Sequence, residues 1–122
     1  MTISRRRYKT FQAETGISYN YFFAFERRTV RPHGQGPGSD FVFVVAADQG
    51  LPFLLRVFLS DRAGEAWRHA HGSWLSSSEQ YAAAKLRLLR GFDEELSLCE
   101  KWLDLVVDET NVEELLAPLD LV

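Results

Sequence analysis

The sequence predicts an α+β fold, with an antiparallel sheet of three or more strands in the N-terminal half packed against two to three helices of the C-terminal half. Three observations carry this expectation. Ile17, Tyr19, Tyr21, Phe23 and Phe25 stand at every second position, and because successive strand side chains point to opposite faces, this spacing makes one aromatic face. The alternate positions Ser18, Asn20, Phe22, Ala24, Glu26 and Arg28 are mostly polar or small, as in a sheet covered on one side only. Near Ser60 the apolar period lengthens from two to about 3.6, inside one chain of 122 residues, so sheet and helices should share a core.

The elements follow in order. Residues 5–15 are polar, with Tyr8 and Phe11 as the only large anchors, and read as a basic arm or a short helix laid on the sheet. A first strand runs from Ile17 to Thr29. It ends where Arg31–Asp40 supplies three glycines and two prolines, which reads as a loop longer than the usual hairpin connection. Phe41–Ala46 is apolar on both faces and predicts a central strand. Ala47-Asp48-Gln49-Gly50 is turn chemistry with Gly50 free to take a positive φ, and Leu51–Leu59 alternates as a third strand, with Pro52 near its start where no ladder bond is lost.

Ser60 is a good N-cap, and Ala63, Ala66, Trp67 and Ala70 form a helical stripe that stops at Gly72. Ser76 and Glu79 form a capping box for a longer helix. Its stripe is Tyr81, Ala84, Leu88, Phe92, Leu96, Cys99, Leu103 and Val106, with Gly91 marking a kink or break. A last turn is signalled by Thr110 or Asn111 as cap, Glu113 and Glu114 behind it, and Ala117-Pro118 as its end.

With 46% hydrophobic residues, the chain can bury a core as one domain, residues 1–122, without staples. A single cysteine, Cys99, excludes an internal disulfide framework and points to a reducing cytosol. The arginine-rich start lacks the apolar stretch of a signal peptide, and no apolar run approaches the ~20 residues of a membrane span. The net charge of −3 conceals a division: residues 1–90 hold thirteen Lys or Arg against seven Asp or Glu, and residues 91–122 hold one against ten. Such asymmetry marks either an interaction tail or two surfaces of one fold that attract each other.

No catalytic or cofactor motif is present, and no metal site is expected. His69 and His71 are two apart, roughly 200° around a helix axis, whereas zinc-binding helices use i, i+4 spacing. Glu65 is placed to pair with His69. Gly34–Gly38 resembles a phosphate loop only superficially, because a strand follows where a helix N-terminus is needed. Cys99 lies on the apolar stripe and should be inert. The candidate binding residues are therefore surface groups: Arg27, Arg28 and Arg31, continuing a basic cluster of Arg5, Arg6, Arg7 and Lys9; His33 in the glycine-rich segment; Trp74 between the helices; and the acidic run Asp93, Glu94 and Glu95. They point first to a small non-catalytic interaction or regulatory module that binds a protein partner, or itself, through the acidic helices or a sheet edge. The second reading is a nucleic-acid-binding module built on the basic arm and the strand arginines. The third is a small enzyme using Arg31, His33, Glu65 and His69.

Overall fold

A computed structural model of the chain describes residues 8–48, 50–94 and 105–119. The elements are β1 (Lys9–Gln12), β2 (Ser18–Arg31), β3 (Gly36–Ala47), β4 (Phe53–Ser60), α1 (Asp61–His71), α2 (Ser77–Glu94), β5 (Leu105–Val107) and α3 (Val112–Leu116), followed by a 3₁₀ turn at Ala117–Leu119. The five strands form one sheet in sequence order. The first four pair antiparallel, and β5 joins β4 in parallel. The α+β architecture read from the sequence is thus the observed one, with two strands more than the pattern revealed.

Both additional strands correct a sequence expectation. Lys9–Gln12, taken as part of an arm or short helix, is an edge strand that sets Phe11 opposite Tyr19. Leu105–Val107, taken as the end of the long helical stripe, is a strand whose Leu105 and Val107 are buried. A three-residue strand is too short to show its period. Spacings of three and four therefore continued the α2 stripe numerically to Val106, while the β-branched pair Val106-Val107 favours a pleated edge. Leu96, Cys99 and Leu103 lie outside the described residues.

The core lies between one face of the sheet and α2. Phe92 is fully buried and stacks on Tyr19, with centroids 4.1 Å apart and planes at 8°. It also meets Tyr21 at 5.8 Å. Tyr81 meets Phe23 edge-on at 5.3 Å. Burial of a ring such as Phe92 stabilises by about 1.5–3 kcal/mol before packing gains. Burial also raises the hydroxyl pKa of Tyr21 and Tyr81 above the ordinary phenol value. Gly91 does not break α2: a Cβ there would come within 3.1 Å of the Leu105 side chain, so its smallness lets the helix approach β5.

One ring of the predicted aromatic face departs from it. The β2–β3 register shifts between Phe23 and Phe25. A bulged residue reverses the alternation that follows it, so Phe25 pairs with Val42 and is 46% exposed.

The expected ten-residue loop is also absent. β2 and β3 continue as a two-stranded ribbon to the pair Arg31–Gly36, closed by Pro32-His33-Gly34-Gln35, with the Gln35 amide donating to the Pro32 carbonyl. His33 and Gly34 both take positive φ, 60° and 84°, the requirement of a type I′ hairpin turn.

Helix ends behave as read. Ser60 caps α1 by accepting from the Arg62 amide, and Gly72 closes it at φ 82°. Ser76 and Glu79 form the reciprocal capping box before α2. The exception is Asn111, whose side chain accepts from the Asp108 amide and donates to the Val106 carbonyl, fixing the exit from β5 instead of capping α3.

Candidate functional site

Past the bulge, β2 stays paired with β3 as far as Arg31–Gly36, and β3 with β4 as far as Gly38–Ser60. β1 pairs only with Ser18–Tyr21, so among the described residues no strand lies along the outer edge of β2 from Phe25 to Arg31. Ala24 to Arg28 are all exposed, and Val30 is 74% exposed. Phe25 and Val30 are an odd number of positions apart, so they present apolar groups on opposite faces of this edge.

Beside the ribbon, on the face that carries the helices, is a cleft of about 380 Å³. Its floor is the buried set Ser39, Leu59, Ser60 and Leu75. One wall is the pair Arg28–Asp61. The guanidinium donates to both Asp61 oxygens at 2.9 and 2.7 Å and to Ser39 Oγ at 3.1 Å. These bonds hold the Asp61 carboxyl below its ordinary value and raise the Arg28 pKa. The other wall is Trp74, 58% exposed, which lies 3.7 Å from where a Cβ on Gly64 would sit. The Arg68 guanidinium is 5.1 Å from its ring centroid. Glu65 also lines this wall and is exposed.

The sequence candidates fall as follows. Arg28 and Trp74 come together in the cleft. Arg27 is exposed on the ribbon edge, on the sheet face away from Arg28. Arg31 crosses to β3, where it binds the buried Asp40 at 2.9 Å and stacks over Phe58 at 4.4 Å. His33 sits exposed at the hairpin turn with φ 60°. Asp93 ties α2 to the β1–β2 connection by accepting from the Glu14 amide at 2.9 Å. Glu94 faces Arg87 at 3.8 Å, and Glu95 lies outside the described residues. Arg31 and His33 belong to the β2–β3 hairpin and Glu65 and His69 to α1; of the four, Glu65 lines the cleft. Glu65 and His69 make no bond to each other among the described residues.

Two residues, His71 and Arg90, make contacts that escaped the sequence reading. His71 stacks on Trp67 at 3.8 Å and binds Glu113 at 2.8 Å. Arg90 binds Glu114 at 3.3 Å. The signal for the first was available, since His71 follows Trp67 by four residues on one helical stripe. The contacts to Glu113 and Glu114 tie basic positions of the first ninety residues to acids of α3, so part of the charge division is satisfied inside the fold.

Among the described residues no group of three or more His, Cys, Asp or Glu is placed to hold a metal ion, and no helix is long and apolar enough to cross a membrane. No protein-family model, curated protein or solved structure matches this chain.

Proposed function

We propose that the protein is a non-catalytic interaction module that captures an extended segment of a partner protein along the outer edge of β2. The observation that carries this reading is the run from Phe25 to Val30, exposed except at the half-buried Thr29, without a paired strand among the described residues and bearing two apolar anchors. An open edge offers a row of main-chain donors and acceptors that a further strand can satisfy. The partner segment that fits best is apolar opposite Phe25 on one face and opposite Val30 on the other. A second copy fits this edge poorly, because antiparallel registers centred on Arg27 or Arg28 set guanidinium against guanidinium. The acidic helices support the role less well than the edge, since Glu113 and Glu114 are engaged by His71 and Arg90.

Photo-crosslinking tests this. Benzoylphenylalanine placed at Phe25 or at Val30, in cells that express the protein, should yield one discrete adduct of the same mass from both positions and none from the exposed Leu51 outside the ribbon. Failure to form that adduct at the ribbon, or the same adduct from Leu51, contradicts the reading.

Nucleic-acid binding is the second reading, and one observation favours it. The pairing of Phe25 with Val42, and of Val42 with Arg56, puts Phe25 and Arg56 on either side of Val42 on the sheet face away from α2, with Arg27 one step along the same face. Against it, Tyr19 and Tyr21 are buried in the core, and carboxylates occupy Arg28 and Arg31. A labelled oligonucleotide should bind with an affinity that falls steeply between low and moderate salt if this reading holds. Binding that is absent or indifferent to salt removes it.

A further inference from the structure

The walls of the cleft carry a charge imbalance. Arg28 and Asp61 neutralise each other through two hydrogen bonds, which leaves Glu65 as the remaining carboxylate among the lining residues, without an ion pair among the described residues. The exposed ring of Trp74 lines the same wall, and an aromatic face attracts a cation. The ring already engages one: the Arg68 guanidinium, reaching from α1 to within 5.1 Å of its centroid. Below them the floor is apolar at Leu59 and Leu75, suited to an alkyl stem. A cavity of about 380 Å³ falls in the size range of sites that hold small ligands or side chains.

From this we infer that the cleft is a receptor for a basic side chain, an arginine or lysine presented by another protein. The cationic head lies between Trp74 and Glu65, and its stem rests on Leu59 and Leu75. Arg68 is the resident competitor: its guanidinium does not line the cleft, but it engages the same ring at 5.1 Å and sets a like charge against the incoming head. The inference does not depend on strand capture along β2: the cleft recognises a head group whether or not the edge is used, and its test involves neither Phe25 nor Val30.

The test uses N-acetyl-arginine amide as probe, with N-acetyl-glutamine amide as neutral control at matched ionic strength, and follows the indole N–H resonances by NMR. The Trp74 resonance, assigned by its loss in Trp74→Phe, should shift saturably with the arginine probe, at millimolar concentration, while the buried Trp67 resonance stays still. Exposed cation–π and ion-pair contacts each change binding about two- to fivefold. Glu65→Gln should therefore weaken the probe about threefold, and Arg68→Ala, which removes the competitor and leaves the cleft otherwise intact, should tighten it by a similar factor. The opposite responses of two surface variants separate recognition from misfolding. A shift that fails to saturate, that the glutamine control matches, or that neither variant moves overturns the assignment.

Discussion

Single residues show which charges hold the fold and which burden it. Asp40 and Arg31 face each other across the ribbon with side chains 6% and 18% exposed. Asp40→Ala removes a charge-assisted bond at a buried carboxylate, and should cost about 2 kcal/mol in chemical denaturation. Arg87 is the opposite case. Its Nη1 is buried 3.8 Å from a Glu94 carboxylate oxygen, without a hydrogen-bond partner among the described residues, and burial pulls the guanidinium pKa down. Arg87→Met keeps the stem and discards the unsatisfied head, and should raise stability by about 1 kcal/mol; a loss of that size would show that the guanidinium is satisfied in solution. Asp61 supplies the pH dependence. Its bond to Arg28 lowers its pKa in the folded state, so the stability it contributes is complete above the ordinary carboxylate value, about 4, and disappears as pH falls through the lower folded value. The stability difference between wild type and Asp61→Asn should be flat above about pH 5 and shrink on acidification below the carboxylate range.

At the level of elements, the β2–β3 hairpin decides how the ribbon is built. His33 holds a positive φ that suits glycine or asparagine, so His33→Gly should stabilise by several tenths of a kcal/mol, whereas the β-branched His33→Val should cost about 1 kcal/mol. Gly38 is fixed for another reason: a Cβ there would come within 2.4 Å of the Leu59 carbonyl oxygen and 2.5 Å of the Phe58 ring. Backbone cannot yield as a side-chain tip can, so Gly38→Ala should lower the denaturation midpoint by the equivalent of about 2 kcal/mol without changing the slope. These positions also mark where the sequence could be read and where it could not. Caps at Ser60, Gly72 and Ser76 are local chemistry and were legible residue by residue. Three glycines and two prolines within ten residues resemble a loop, because what makes Gly38 strand-like is Phe58 lying against it, a contact twenty residues away. The bulge at Phe23–Phe25 was equally hidden, since alternation in the sequence runs through it without interruption.

Across the whole molecule, one face of the sheet is closed by α2 through Tyr19, Tyr21 and Phe92, and that much followed from two periodicities in the chain. The candidate site followed less well. Arg28 and Trp74 were singled out separately, on exposure and charge, and only the fold brings them to one cleft with Asp61 and Glu65. The acids after Gly91 read as a solvated face, and Glu113 and Glu114 do stay exposed, but paired with His71 and Arg90. Among the described residues no strand lies along the outer edge of β2 from Phe25 to Val30, and the proposed activity rests on that edge. Amide hydrogen exchange on the isolated protein, resolved by residue from Phe25 to Arg31, tests this most directly. An open edge should give alternation, each amide bonded to β3 exchanging slowly and each outward amide exchanging fast. Uniform protection along the segment would mean that the edge is already covered, and would contradict the account.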